Sequence, residues 1–265
     1  MSVNLGLIWK SILELIFPCS CVVCDEEGPF LCKKCVGKIV LIGRQTCPVC
    51  YKEGSFKVCE SCKGLAFLDG LIAACRYENN PVVHKSIHEF KYNFIEDLAV
   101  PFGKLMAKRW MAEIERAGDR RPGGNFRTDG DEERFILCPV PLHKKRLKWR
   151  GFNQAKLLSD EISRECGLPV LEILERTKFK RPQMELKREE RLKNVVDAFR
   201  IAPGKGPHGG NQNSCGGAHA DGIPQNIILI DDVATTLSTL NSCAKTLKEG
   251  GAKNVYALVI ARAVK

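Results

Sequence analysis

The stretch that most constrains the fold of this chain covers residues 226–240. It begins with an unbroken apolar run at 227–230, which is typical of a parallel β-strand buried on both faces. After a polar segment, apolar residues recur with helical spacing until a glycine pair at 250–251, and a second apolar run follows at 255–260. The pattern predicts a βαβ unit. In open α/β sheets, ligands bind at the carboxyl end of such a strand.

The polar segment of this unit combines two carboxylates, Asp231 and Asp232, with several hydroxyl residues. Hydroxyls and free N–H groups at a helix N-terminus suit a phosphate, whereas carboxylates suit ribose hydroxyls or a hydrated Mg²⁺. Together they describe a site for a ribose 5-phosphate. The simpler interpretation is an acidic turn followed by a helix cap rich in serine and threonine. The hydroxyl residues are Thr235, Thr236, Ser238 and Thr239.

A second feature is the density of cysteines near the N-terminus. Nine of the 14 cysteines lie at 19–62, and eight of them form four C-x-x-C pairs, a spacing that places two thiolates on one Zn²⁺. Local pairing predicts two Cys₄ sites, with a cross-braced arrangement, redox dithiols and an iron–sulfur site as alternatives. Closed Cys₄ sites are structural rather than catalytic. The pairs are Cys21/Cys24, Cys32/Cys35, Cys47/Cys50 and Cys59/Cys62, and Cys19 is left over.

Length and composition set the organisation. A chain of 265 residues can hold one α/β domain and a small module, and we expect an amphipathic helix at 1–18, a double zinc ribbon at 19–66 and the α/β domain at 67–265. The net charge of +10 suits an anionic ligand or nucleic acid, although a solvated basic surface is equally consistent with it. Because neither a secretory signal nor a membrane-spanning run is present, we expect a cytoplasmic protein without stable membrane insertion.

Several other segments carry weaker predictions. Residues 142–155 form a basic loop between a strand at 136–140 and a helix, suited to a pyrophosphate or a nucleic-acid backbone. Residues 168–174 are predicted as a further strand, and the basic segment 177–194 as a mobile lid over the site. Residues 116–133 and 203–222 have the composition of flexible insertions.

These blocks, in their order, resemble one family. Residues 231–239 are similar to the phosphoribosyl-pyrophosphate (PRPP) motif of type I phosphoribosyltransferases, D-D-V-x-T-T-G-x-T. The chain as a whole resembles the ComF family. The resemblance rests on residues 231–239, the C-x-x-C pairs, FKY at 90–92, PVPLH at 139–143, RGFNQA at 150–155 and the segment 181–199. The resemblance implies a phosphoribosyltransferase-like, mostly parallel sheet flanked by helices, with an N-terminal zinc module. It also implies a role in natural competence, in which the protein would handle single-stranded DNA beside a helicase partner.

The resemblance further implies roles for individual residues. Asp231 and Asp232 would hold the ribose hydroxyls with Mg²⁺ nearby and carry catalysis by charge neutralisation and positioning. Arg150, Lys144 and Lys91 would meet the pyrophosphate. The PRPP site would comprise the motif residues Asp231, Asp232, Val233, Ala234, Thr235, Thr236, Leu237, Ser238 and Thr239.

Two functional hypotheses follow. In one, the protein is a ComF-like binding module with a PRPP or ribose-5-phosphate pocket that acts in DNA uptake. In the other, it is an active PRPP-dependent phosphoribosyltransferase with a nucleobase or amine acceptor. Leu237 bears on the choice because it stands where the motif has glycine, and a positive φ at that position would be costly for leucine.

Overall fold

The computed structural model describes residues 19–116, 135–178, 198–203 and 222–263. Its strands are β1 (Gly70–Arg76), β2 (Phe135–Pro139), β3 (Leu174–Arg176), β4 (Phe199–Ile201), β5 (Asn226–Ala234) and β6 (Asn254–Arg262). Its helices are α1 (Lys33–Gly37), α2 (Pro81–Tyr92), α3 (Ala99–Arg116), α4 (Lys144–Arg150), α5 (Gln154–Cys166) and α6 (Ser238–Glu249), with 3₁₀ turns at Glu60–Cys62 and Glu96–Leu98.

Four of the strands form one parallel sheet in the order β1-β6-β5-β2. β3 and β4 form a separate antiparallel pair. The predicted βαβ unit is confirmed as β5-α6-β6, and α6 ends at Gly250 and Gly251 as predicted. Because the strands of the main sheet run in the same direction, their carboxyl ends meet at one edge, and this edge carries the candidate ligand site.

Both faces of the sheet are covered, which explains the unbroken apolar run in β5. Ile228 and Ile230 face one core with α2, α3 and α5, whereas Ile227 and Leu229 face a second core with α6. α3 and α5 approach so closely that a Cβ on Gly103 would lie 2.5 Å from Cβ of Glu161. The predicted α/β class, with a mostly parallel sheet flanked by helices, is therefore confirmed.

The cysteine-rich module covers the outer edge of β1. The Leu71 N–H donates to the Phe56 carbonyl at 2.8 Å. The Gln45 side chain bonds the Ala73 carbonyl at 3.0 Å and accepts from the Ala73 N–H at 3.2 Å, as a neighbouring strand would. A sheet edge left open is prone to aberrant pairing, so the module completes the domain as well as holding its own cysteines.

Arg262, at the carboxyl end of β6, fastens the second half of the module to the sheet. Its guanidinium donates to the Pro48 carbonyl at 2.6 Å and to the Thr46 hydroxyl at 3.0 Å, and lies 4.4 Å from the centre of the Tyr51 ring. The arginine is buried. Module and sheet therefore share buried polar contacts as well as apolar packing.

The strand predicted over 168–174 is wrong in extent. Val170 makes an isolated parallel bridge to Leu137, and regular pairing begins only at Leu174. Pro169 accepts a hydrogen bond through its carbonyl but has no N–H to continue a ladder. The helix predicted at 1–18, the lid predicted at 177–194 and the insertions predicted at 116–133 and 203–222 lie wholly or largely outside the described residues.

Candidate functional site

The eight paired cysteines form two separate groups of four. Cys21, Cys24, Cys32 and Cys35 make up the first group, and Cys47, Cys50, Cys59 and Cys62 the second; the sulfurs of each group lie within 4.8 Å of one another. Pairing is therefore local, as predicted, rather than cross-braced. Cys19 belongs to neither group.

The two groups share one local construction. In each, the residue after the first C-x-x-C pair has a positive φ, Asp25 at 60° and Tyr51 at 65°, and a glycine at φ 132° or 137° follows. The Cys21 N–H donates to the Glu26 carbonyl, and the Cys47 N–H donates to the Lys52 carbonyl. Each turn thus brings two sulfurs to one side, and the second ribbon repeats the first.

Both groups fit a tetrahedral zinc ion. Four sulfurs held 2.3 Å from Zn²⁺ lie about 3.8 Å apart; the Cys24 and Cys32 sulfurs are 3.7 Å apart, and those of Cys50 and Cys59 are 3.6 Å apart. Backbone N–H groups also point at the sulfurs, with the Cys32 N–H 3.5 Å from Cys21 Sγ. Burial opposes ionisation of Cys21, but these N–H groups bring its pKa down to about 6. Each cluster could therefore hold one structural zinc ion as thiolate ligands.

The acid pair lies at the carboxyl edge of the sheet, but within β5 rather than in the loop expected after it. Asp231 pairs with Val259 of β6, and the strand continues to Ala234. Because β6 is also long, pairing extends beyond the end of β2 at Pro139. Side chains alternate along a strand, so Asp231 and Asp232 point to opposite faces. A ligand that contacts both carboxylates has to lie across the end of β5.

Asp232 faces α2 and pairs with Lys91 there. The Lys91 Nζ lies 2.7 Å from Asp232 Oδ1, and the two side chains are 21% and 12% exposed. Burial alone would lower the pKa of Lys91, but the charges of Asp232 and, more weakly, Asp231 raise it. Lys91 is the last basic residue of α2, and the helix therefore delivers a fixed cation to the acid pair.

Asp231 has a different environment. Burial and then the neighbouring charge of Asp232 raise its pKa to about 7, although Lys91 and Arg176 act in the opposite direction. The Asp232 N–H donates to Asp231 Oδ1 at 2.9 Å. Near neutral pH this carboxyl therefore gains or loses a proton readily, and a hydroxyl donor or a cation placed beside it would favour the ionised form.

The hydroxyl loop joins the acid pair to α6. The first bond within α6 runs from the Asn241 N–H to the Leu237 carbonyl at 2.8 Å. The N–H groups of Ser238, Thr239 and Leu240 consequently have no partner inside the helix and are directed at the loop. The Thr236 and Ser238 hydroxyls lie 2.8 Å apart. These are the donors that an anion requires at a helix N-terminus.

Leu237 adopts the left-handed conformation that glycine would adopt without cost. Its φ is 60° and its ψ is −3°, at the N-cap of α6. Its partly buried side chain packs against the α6 core. The loop therefore keeps the backbone turn of a glycine-containing motif but carries the strain of a branched residue.

The segment predicted as a basic loop is a helix, α4. The Nδ1 of His143 accepts a hydrogen bond from the Lys145 N–H at 3.2 Å and caps the N-terminus. Lysine, arginine and leucine favour helices, and Gly151 at φ 80° ends the turn. The helix separates its cations: Lys144 is exposed at its start, whereas Arg150 is buried at its end.

Arg150 is the member of α4 that faces the acid pair. Burial lowers its pKa, and the Asp232 charge opposes this shift. Its Nη1 donates to Gln154 Oε1 at 2.7 Å, but its Nε is buried without a hydrogen-bond partner among the described residues. The structure thus brings together Asp231, Asp232, Lys91 and Arg150. Lys144 remains a predicted contact.

Arg176, at the end of β3, is a cation that the sequence patterns did not single out. Burial lowers its pKa, Arg146 lowers it further, and Asp231 acts against both. The guanidinium lies 5.4 Å from the centre of the Phe199 ring, and its Nε has no partner within the described part of the chain. It lies on the Asp231 side of β5, opposite Lys91. The signal in the sequence that could have indicated Arg176 is its position as a basic residue at the end of a short strand.

Comparison with known proteins gives relatives along most of the chain. Competence protein F of Haemophilus influenzae is 35% identical over 130 residues, which are 48% of this chain and 50% of that protein. Competence protein ComFC of Streptococcus pneumoniae is 28% identical over 264 residues, 97% of each chain. These relatives support a ComFC-like family for the chain. DNA utilization protein YhgH of Escherichia coli K12 is 28% identical to this ComFC-like chain over 185 residues, 69% of the chain and 68% of that protein.

The match of this ComFC-like chain to the Streptococcus protein spans both cysteine clusters and the acid pair. No model of a protein family matches the chain. Among the described residues of the ComFC-like chain, none of the helices combines the length and the apolar character that crossing a bilayer requires.

Proposed function

We propose that this ComFC-like protein acts in DNA uptake and holds the ribose 5-phosphate part of PRPP at the carboxyl end of β5. The role in DNA uptake is supported by the names of its relatives, which are competence proteins and a DNA utilization protein. Two clusters of thiolates suited to zinc fit a reducing compartment such as the cytoplasm. A helicase partner stays a prediction.

The ligand is carried by one observation: the acid pair and the first turn of α6 meet at the same strand end. Carboxylates accept hydrogen bonds from ribose hydroxyls, and the unpaired N–H groups and hydroxyls at the start of α6 donate to a phosphate. Both faces of β5 contribute a carboxylate, so the sugar lies across the strand end. The phosphate donors are Thr235, Thr236, Ser238 and Thr239.

The cations around the acid pair suit the pyrophosphate group of the same ligand. Lys91 and Arg150 lie on the Asp232 side and Arg176 on the Asp231 side. The Nε atoms of the two arginines are buried without a hydrogen-bond partner among the described residues. A bound pyrophosphate would therefore be stabilised by the charge of these guanidinium groups and by their other N–H donors.

Magnesium is part of the same proposal. Oxygen ligands from Asp231 and Asp232, completed by water and phosphate oxygens, match the preference of Mg²⁺. The raised pKa of Asp231 is consistent with such a site, because two neighbouring carboxylates are more stable beside a divalent cation. When bound, the ion would neutralise pyrophosphate charge.

The cations also favour a second function, transfer of the phosphoribosyl group to an acceptor. Departure of pyrophosphate develops negative charge, which fixed cations such as Lys91 and Arg150 stabilise. Release of pyrophosphate in the presence of a nucleobase or amine, and its loss in Asp231→Asn, would establish turnover. PRPP binding without pyrophosphate release would support the binding function and exclude turnover.

Calorimetric titration of the zinc-loaded full chain with PRPP and Mg²⁺ tests the pocket. We expect saturable binding to the wild type and at least about tenfold weaker binding to Asp231→Asn, because a neutral amide gives up a charge-assisted hydrogen bond. Asp160→Asn is the matched control, since Asp160 forms a half-exposed pair with Lys156 on α5 at 2.6 Å. Absence of wild-type binding, or equal binding by both variants, would exclude the proposed pocket.

A further inference from the structure

Three aromatic rings form an exposed group beside the candidate pocket. Tyr92, Phe94 and Trp149 are 49%, 42% and 60% exposed. Phe94 and Trp149 meet edge to face with ring centres 5.5 Å apart, and the centres of Tyr92 and Trp149 are 6.4 Å apart. We call this group the aromatic surface. Large aromatic side chains are usually mostly buried, and a cluster left in water indicates an interaction site.

The backbone holds one of these rings outward at an energetic cost. Phe94 has a φ of 59°, a left-handed conformation that is an outlier for a bulky residue. Such strain persists only where the surrounding structure imposes it, and it is concentrated at functional positions. Phe94 follows the end of α2 and precedes the 3₁₀ turn Glu96–Leu98, so its position is fixed from both sides.

The aromatic surface alternates with cations along the chain. Tyr92 follows Lys91, and Trp149 lies between Lys148 and Arg150. In each case the outward ring neighbours a cation of the pocket, and the Arg150 guanidinium lies 5.8 Å from the centre of the Tyr92 ring. α4 contributes five basic residues and no acidic residue. The carboxylates nearest in sequence to Tyr92 and Phe94 are Glu89, Glu96 and Asp97, and none of them lies on α4.

We infer that the aromatic surface binds single-stranded DNA by stacking its bases on Trp149 and Phe94, while Lys148 and neighbouring cations of α4 contact the phosphates. Aromatic rings set among cations are the usual means of holding a single strand, because every base offers a flat face and every nucleotide carries a charge. A duplex does not fit, since its bases are already stacked. The choice of DNA rests on the proposed function, but the stacking does not require the PRPP pocket.

The test is fluorescence anisotropy of a labelled oligothymidylate of about 12 nucleotides with the zinc-loaded full chain. We expect Trp149→Ala and Phe94→Ala each to weaken binding about tenfold. Phe67→Ala, which removes a ring that is 43% exposed and lies outside the aromatic surface, should leave affinity unchanged. An abasic oligonucleotide of equal length should bind wild type and Trp149→Ala alike.

Charge is tested separately. Lys148→Gln should reduce the slope of log K against log salt concentration by about 0.7, the value for one phosphate contact on a single strand. Lys253→Gln should not change the slope, because Lys253 is an exposed residue at the amino end of β6, remote from the site edge.

Two results would overturn the inference. One is oligothymidylate affinity of Trp149→Ala within twofold of wild type; the other is duplex or oligoribonucleotide binding as tight as that of the DNA single strand. PRPP titration of the same variants separates the two proposals. Trp149-dependent DNA binding in a protein that does not bind PRPP would reject the pocket and retain the aromatic surface, and the converse would do the opposite.

Discussion

The Lys91 ammonium lies 2.7 Å from a carboxylate oxygen of Asp232, joining the end of α2 to the end of β5. The pair satisfies the buried acid before any ligand arrives. It also leaves Asp231, on the other face of the strand, as the carboxyl whose charge responds to its surroundings. The two carboxyl groups of the motif thus have different environments, and the predictions below depend on that difference.

Removing Lys91 should destabilise the protein more than removing any surface lysine. Lys91→Met leaves Asp232 largely buried without its partner, and we expect the free energy of unfolding to fall by about 2–4 kcal/mol, near the range for broken buried pairs. Urea unfolding measures this. Lys156→Met, which breaks the half-exposed pair with Asp160, should cost about 0.5 kcal/mol or less.

The double variant Lys91→Met/Asp232→Asn distinguishes the ion pair from simple loss of packing. Without the carboxylate there is no unpaired charge, so most of the stability lost in Lys91→Met should return. A double variant as unstable as Lys91→Met would show that the lysine stabilises the fold through packing of its methylene chain.

Asp231 should make the stability of the ligand-free protein depend on pH. Its pKa is about 7 in the folded chain and about 4 in an unfolded one, so between these values the folded state retains a proton that the unfolded state has lost. The stabilisation from that proton is complete below about pH 4 and is lost as the pH rises through about 7. Asp231→Asn cannot ionise, and its Tm relative to wild type should therefore rise between about pH 5 and pH 8.

Ligand binding should show the opposite preference at Asp231. Ribose hydroxyls bind the ionised carboxylate better, so PRPP affinity of the wild type should increase between about pH 6 and pH 8. The phosphate of the ligand also ionises with pH. Asp231→Asn is the control, because the pH dependence of its affinity reports ionisation of the phosphate without that of Asp231. Parallel pH profiles for the two proteins would contradict a role for this carboxyl.

Leu237→Gly should relieve strain in the hydroxyl loop. Leucine at φ 60° costs about 1–2 kcal/mol relative to a right-handed conformation, whereas glycine adopts it freely but increases the entropy of the unfolded chain by up to about 1 kcal/mol. The variant also loses the packing of the partly buried leucine side chain against the α6 core, so we expect the free energy of unfolding to fall by about 1–2 kcal/mol, together with tighter binding of ribose 5-phosphate. Leu237→Ala is the control, because it keeps the Cβ but removes the branched side chain.

Zinc content should distinguish the cysteines. Elemental analysis of the wild type should give two zinc ions per chain, and Cys24→Ser should give one, because it removes a ligand of a single cluster. Cys19→Ser should keep both. Since the module covers β1, loss of zinc should lower the Tm of the α/β domain as well, and an unchanged Tm after chelation would contradict that coupling.

Sequence patterns predicted those features that depend on neighbours along the chain. The C-x-x-C pairs define their own turns, and the period of apolar residues in 240–247 places one face of α6 on the sheet. The sequence patterns wrongly predicted a loop where the structure has α4, because a run of charged residues has no apolar periodicity. This helix depends instead on the N-cap at His143 and on its end at Gly151.

Pairing across the sheet decided the rest. Asp231 and Asp232 are adjacent in sequence, but β5 continues past β2 along β6 and therefore turns the two side chains to opposite faces. Lys91, Arg150 and Arg176 then reach them from three elements far apart in the chain. The residue types themselves determined which chemistry is available: hydrogen-bond donors suited to a phosphate lie beside two acids, and eight thiolates occur in pairs. Only tertiary structure decided which cation neutralises which acid, because that depends on strand register and helix packing over long sequence separations.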